Sequence, residues 1–405
     1  MTLQQARRYS ACTLTGLVMM AAIQSPASSA APADVIYLES NSTSGNSIFA
    51  YGFNFTSSPT LLTTTPAGGI GVYDPTFALG PFDSDQNLIE DPSGTMLFAV
   101  NSGSNTVAVF QIQPDGNLVA VNGSPFPSGG SDPVSLGLKD GVLAVVNKDQ
   151  DPVQNVNLVQ PNYTTFLVAP GGVLVPVPQS TVSVAYGSSP SQALRASLGT
   201  FVFGADFLGG LLQSFRVDQA GRLQQNLPQA LPDSLFIGQT GGHQPLGMRT
   251  HPTLPILYVD ITPLSEVAVY TYDENGQLSF VRAVSDSGSA PCWANVNHAG
   301  TRLYATNTGD NSIAVYDLTD PLNPVQIQHF VMASTTGAAF STVIDHTDRW
   351  IYVSSEQSSA TATPAGNAFH TLKVAADGTL SEPFPPTVLP TSGATPDRVQ
   401  GITVF

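Results

Sequence analysis

The chain is short of charge: Asp, Glu, Lys and Arg make up only 10% of its 405 residues, against about 25% in an ordinary soluble domain. The charge it has is largely of one sign. Thirteen Lys and Arg face 29 Asp and Glu, for a formal net charge of −16 and a pI near 4.4, and no segment gathers the cations into a patch. Such a surface has no electrostatic footprint for a phosphate backbone and disfavours anionic lipid, so nucleic-acid binding is excluded and no membrane association is expected of the mature protein. Solubility falls to uncharged Ser, Thr, Asn, Gln and Gly.

Cysteine is almost absent. Cys12 and Cys292 are the only two, and Cys12 lies in an N-terminal segment that reads as an export signal. Arg7 and Arg8 precede an apolar run from Ala11 to Ile23, and the small residues Ser28-Ser29-Ala30 follow. The run is too short to span a bilayer. Residues 1–30 are therefore expected to be removed from a secreted or periplasmic protein. The Arg pair fits twin-arginine export, while the small residues after it fit general secretion equally. Cleavage removes two cations and no acid, taking −16 to −18. It leaves Cys292 without an intrachain disulfide partner, so stability has to come from packing. Sequons at Asn41, Asn54, Asn122 and Asn162 matter only in a glycosylating host.

What the chain has in quantity is repetition. The stretch LFAVNSGSNTVAVFQIQPDGNL, 97–118, returns as LYVDITPLSEVAVYTYDENGQL at 257–278 and as LYATNTGDNSIAVYDL at 303–318. Looser copies start at Ile36, Val142, Phe201 and Ile351, a period of about 45 to 60 residues and seven units in all. Each unit alternates apolar residues with period two, as in Thr106-Val107-Ala108-Val109-Phe110, and ends in a tight turn such as Asp115-Gly116, Asn275-Gly276 or Asp377-Gly378. With a preceding strand a, the unit is a four-stranded antiparallel meander, a to d. Seven such units in tandem predict an all-β, seven-bladed propeller over residues 31–405, because stacking in a ring buries both faces of every blade. The first unit starts at strand b, Val35-Ile36-Tyr37-Leu38, whereas the chain ends in an orphan strand. Gly401–Phe405 is expected to be the innermost strand of blade 1 and to close the ring.

In that ring the d-to-a and b-to-c loops share one face, the mouth of the central channel. Of six histidines, His251, His298 and His346 fall at a-to-b turns on the other face and read as exposed turn residues; His329 and His370 read as packing. His243, in Gly241-Gly242-His243-Gln244-Pro245, falls at the mouth. The mouth also receives two long connections, 66–86 and 148–162, the second carrying Asp149 and Asp151. Cys292 and Trp293 adjoin the blade 6 d-to-a loop, and Arg249 lies in an inner strand, where its charge needs either a carboxylate partner or an anionic ligand. Asp206, Asp260 and Asp310 end strand b or open the b-to-c loop in three successive units, a place where a carboxylate often binds nearby backbone.

The repeated LYATNTGDNSIAVYDL-type unit, the phrase Gln113-Pro114-Asp115-Gly116-Asn117-Leu118 and the orphan C-terminal strand together resemble the lactonase family of seven-bladed propellers, which includes the propeller-type 6-phosphogluconolactonase and 3-carboxy-cis,cis-muconate cyclase. The family's Arg-His pair, Glu and loop Arg align here with Leu246-Gly247, Thr262 and Thr308, and a family His with Ser191; Asp206 is the family position that is kept. The resemblance implies hydrolysis of a lactone or related cyclic ester at the channel mouth, and a monomer is expected. The lost cations imply an uncharged, sugar-derived or similar substrate. His243 is the expected general base, with Arg249 and Asp206 beside it, and Trp293, Cys292, Asp149 and Asp260 are expected to contact substrate. No cofactor or catalytic metal is implied. The alternative is a propeller that binds a ligand or partner there without chemistry.

Overall fold

A computed structural model describes residues 33–72, 84–149, 160–335, 337–356, 366–390 and 398–405. Residues 1–32, most of both long connections and Asp151 lie outside the described residues. Seven antiparallel sheets follow one another along the chain. Blade 2 shows the pattern: strand a Leu88–Glu90 innermost, then b Met96–Asn101, c Thr106–Ile112 and d Leu118–Ala120. In blade 1, strand b is Asp34–Glu39, and its strand a is the C-terminal Gln400–Val404, with Ile36 opposite Val404 and Leu38 opposite Ile402. Val35 and Phe405 exchange both backbone hydrogen bonds, each 2.9 Å. The ring is closed by its own tail.

Both faces of strands b and c are apolar because both meet another blade. In strand c of blade 2, Ala108 and Phe110 pack with Tyr37, Ile48 and Ala50 of blade 1, whereas Val107 and Val109 pack with Leu136, Leu143 and Val145 of blade 3. Among the described residues, seven apolar clusters occupy the seven blade interfaces and an eighth occupies the channel. The outer strand departs from the simple meander in blades 2, 3, 4 and 7, where it is split, for instance into Leu118–Ala120 and Phe126–Pro127. Prolines fall within or beside these breaks, at Pro125, Pro176, Pro178, Pro228, Pro383, Pro385 and Pro386. A residue without an N–H cannot continue a ladder.

The repeated turn glycine serves the ring as well as the hairpin. Tyr37 Oη donates to Gly116 O of the next blade at 2.8 Å, and Tyr304 Oη donates to Gly378 O at 3.1 Å. In blades 3 and 4 a strand c hydroxyl does the same work, Thr165 toward Gly221 and Ser214 toward Gly276. A side chain on Gly276, at φ +79°, would meet Phe201 at 2.6 Å. The Asn that ends strand b is a second tie. Asn101 bonds Ala67 O and Thr106, Asn147 bonds Ser128 O and Asn162, and Asn307 bonds Asp286 and Ser312, joining strand b to the start of strand c and the end of strand d.

Of the three histidines on the far face, one differs from the expectation. His251 is buried rather than exposed: Nδ1 accepts from the N–H groups of Thr253 and Leu254 at 3.2 Å while Nε2 meets Gly300 O at 3.0 Å. A turn that close to the next blade has no water to satisfy its amides, and the imidazole does so instead. His298 and His346 are exposed and face Asp348 and Glu90 at 2.6 and 3.5 Å. His329 and His370 carry carboxylate partners as well, Asp310 at 3.2 Å and Glu382 at 2.8 Å.

Candidate functional site

The channel is spanned by side chains from blades that are not neighbours in the ring. Gln192, in the polar inner segment of blade 4, is fully buried. Its amide accepts from Met248 N at 2.9 Å and donates to Met248 O at 3.1 Å in blade 5, and it reaches Gln86 Oε1 at 3.0 Å and Asp85 Oδ2 at 3.5 Å in blade 2. From the inner strand of blade 5, Pro245–Thr250, Arg249 donates through Nε to Ala294 O at 3.2 Å and turns Nη2 to Asp85 Oδ2 at 3.6 Å. Asp85 is 7% exposed at the side chain and Arg249 22%. Burial raises the Asp85 pKa while Arg249 holds it down; burial lowers the Arg249 pKa while Asp85 supports it. The carboxylate alternative for Arg249 is thus the one observed.

Beside this polar crossing lies an apolar one. Inner strands of blades 5, 6 and 7 shift register near their mouth ends, at Pro245/Met248, Pro291/Trp293 and Ala339/Thr342. The shifts bring Leu246, Cys292, Trp293 and Phe340 together, with Phe207 against them. Trp293 is fully buried, edge-on to Phe340 at 5.6 Å, and Cys292 is 2% exposed, with its thiol directed to Ala290 O at 3.3 Å. Both residues expected at the substrate are placed inside the packed cluster.

Of the expected carboxylates, Asp206 is committed to nearby backbone. Asp206 holds the position that Asn101, Asn147 and Asn307 hold elsewhere; its Oδ1 accepts from Ser189 N at 2.7 Å and Gly209 N at 2.9 Å. Asp260 is fully buried against Gly247, where an added Cβ would meet Asp260 Oδ2 at 2.8 Å. Burial, then Asp286 and Asp85, push its pKa well above the ordinary carboxylate value. Asp149, at φ +53°, is 6% exposed, and burial raises its pKa.

His243 stands apart from these groups at the mouth. It stacks on Phe236 with ring centroids 4.0 Å apart and planes 19° apart, and Nε2 faces Asp233 Oδ1 at 3.7 Å. Asp233 and Phe236 belong to a short 3-10 turn, Asp233–Phe236, in the d-to-a connection. A Cβ on Gly210, at φ +66°, would touch His243 Cβ at 3.0 Å. The b-to-c loop that Asp206 pins therefore backs the imidazole, and 27% of that side chain stays exposed. Sequence reasoning missed Asp85, Gln86, Gln192, Asp233 and Phe236. The signal for Gln192 was present, an amide just before the inner strand Leu194–Arg195; nothing local marks Asp233 or Phe236. Among the described residues no group of three or more His, Cys, Asp or Glu is placed to hold a metal ion, and no helix is long and apolar enough to cross a membrane.

Solved structures share this architecture along nearly their whole length. A putative 6-phosphogluconolactonase from Bacteroides fragilis superposes with a TM-score of 0.66 at 15% identity, covering 93% of this chain and 99% of its own. The fold is that of the 6-phosphogluconolactonase-type propellers. A periplasmic gluconolactonase from Pseudomonas aeruginosa gives 0.59 at 14%, covering 92% of this chain and 99% of its own. A hypothetical selenium-binding protein from Sulfolobus tokodaii gives 0.64 at 11%, covering 93% and 94%. No protein-family model matches the sequence, and no curated protein matches it. At such identities the likeness establishes the fold and leaves the chemistry to the site.

Proposed function

We propose that the exported protein hydrolyses an uncharged lactone or related cyclic ester at the mouth of its channel, with His243 as general base. The observation that carries this reading is the setting of His243: a partly exposed imidazole, held flat on Phe236, with one nitrogen turned to a carboxylate. With Nε2 facing Asp233, Nδ1 is left to take a proton from water. Water oxygen adds to the carbonyl carbon as that proton moves to Nδ1. The imidazolium then returns it to the ring oxygen as the C–O bond breaks, giving the hydroxy acid. Arg249 or main-chain N–H groups of the mouth loops stabilise the oxyanion. Because Arg249 already has Asp85 as counter-ion, a neutral substrate fits better than an anionic one. The gluconolactonase names of two similar structures are in keeping with a ring ester. The test is proton release from a panel of neutral and acidic lactones by the wild type and by His243→Ala; unchanged rates in the variant defeat the assignment.

A second reading, a binding propeller without chemistry, is favoured by the commitment of Asp206 to loop backbone and of Cys292 and Trp293 to the core. A soluble ligand that raises the melting temperature while no lactone turns over would establish it.

A further inference from the structure

We infer that Asp85 sets the charge selectivity of the channel, by masking Arg249 so that anionic ligands are refused. The inference rests on the reading of the channel as the ligand site. Its basis is a meeting of two charges across the channel. Asp85 comes from blade 2 and Arg249 from blade 5, and the two carry opposite charges 3.6 Å apart. Gln192 of blade 4 holds the carboxylate side of the pair through Asp85 Oδ2 and Gln86, and the strand bearing Arg249 through both backbone groups of Met248. Asp85 is thereby fixed where it faces the guanidinium, rather than being a passing surface partner. Arg249 is anchored on its other side by Ala294 O at 3.2 Å, which keeps its guanidinium turned to Asp85.

The consequence is electrostatic. An arginine in a channel wall is a natural receptor for a carboxylate or phosphate, since its fork donates two parallel hydrogen bonds. Here a ligand carboxylate would have to displace Asp85, itself a carboxylate held by Gln192, Arg249 and the Gln86 backbone. A neutral carbonyl makes a smaller demand: it accepts from an N–H of Arg249 that the Asp85 contact, at 3.6 Å, leaves under-used. Charge selection therefore resides in Asp85, a residue with no need to touch the reacting atoms.

The experiment is calorimetric titration with D-gluconate, an anion of lactone-derived chemistry, and with γ-butyrolactone, a neutral ring ester, on wild type, Asp85→Asn and the double variant Asp85→Asn, Arg249→Gln. Asn keeps an oxygen for Gln192 and removes the charge. Gluconate affinity is expected to rise about tenfold or more in Asp85→Asn, equivalent to 1.4 kcal/mol or more, and to return to the wild-type level in the double variant. Gluconate affinity unchanged by Asp85→Asn, or retained in the double variant, overturns the inference. Should Asp85→Asn fail to fold, Arg249→Gln is the mirror test: with Asp85 unmasked, the channel should gain affinity for guanidinium or an alkylammonium ion, and no gain overturns it. Because these readouts are binding, they stand if no lactone is hydrolysed, so failure of the proposed reaction and failure of this inference are separable.

Discussion

Arg398 and Glu356 form a buried ion pair, Nη2 to Oε1 at 2.9 Å, with only 4% and 1% of their side chains exposed. Arg398 leads into the C-terminal strand of blade 1, and Glu356 ends strand b of blade 7, so the pair bolts the last blade to the strand that closes the ring. Replacing Arg398 by Met removes the cation paired with a buried carboxylate and should cost about 3–5 kcal/mol, read as a lower urea midpoint. A double replacement, Arg398→Met with Glu356→Leu, should recover most of that loss. Equal destabilisation in both variants would deny the pair its role.

Deleting residues 400–405 removes the whole innermost strand of blade 1 and exposes the apolar faces of blades 1 and 7. Cooperative thermal unfolding should be lost, and a synthetic peptide of residues 398–405 added in excess should restore part of it. A sharp, unshifted transition in the truncated chain would mean that the ring does not depend on its tail.

The hydroxyl tie between blades 6 and 7 predicts that Tyr304→Phe, which leaves the buried Gly378 carbonyl without its donor, lowers stability by about 1–3 kcal/mol. Double-mutant analysis with Tyr37→Phe, at a different interface, should show additivity.

Stability should peak in mild acid. Burial, then Asp91, pushes Glu90 up to about 8, and burial pushes Glu39, Asp260 and Asp286 upward as well. These groups keep protons that the unfolded chain gives up near the ordinary values of 4.5 and 3.8. Stability therefore falls as pH rises through the window from about 4 to 8, with a limiting slope of about 1.4 kcal/mol per pH unit for each such group. Turn aspartates act in the other direction. Asp218 and Asp273 are held below 3.8 by backbone N–H groups, and Asp377 by Thr379, so their contribution is lost as pH drops beneath that value. Urea midpoints measured from pH 3 to 9 should rise and then fall, and Glu90→Gln should flatten the upper limb; a midpoint that climbs steadily to pH 8 would contradict the burial argument.

Cys292, packed with Trp293 and Phe340, should react with a thiol reagent only on unfolding. In a Cys12→Ser background, labelling in native buffer at the rate seen in denaturant would place the thiol at the surface instead.

Much of this architecture was legible because it is written into each unit separately. Thr106–Phe110 alternates whether or not blades 1 and 3 are known, and Asp115-Gly116 makes a hairpin by its own backbone preferences. The missing strand a before Val35 and the orphan strand at the C-terminus point to each other from sequence alone. Candidate site residues were less legible. His243 was placed at the mouth by topology, yet its partners Phe236 and Asp233 come from a connection with no repeat to align it. Cys292 and Trp293 look exposed beside their loop, and the register shift at Pro291/Trp293 turns them inward, something no side-chain pattern announces.

The sequence by itself determined the number of blades, the order of strands and the way the ring closes, since these follow from local alternation and from a period repeated along the chain. Only the tertiary structure decided which polar groups face one another across the channel. Asp85, Gln192 and Arg249 belong to three blades and share no local pattern; closing the ring brings them to one point, where the charges of Asp85 and Arg249 offset each other.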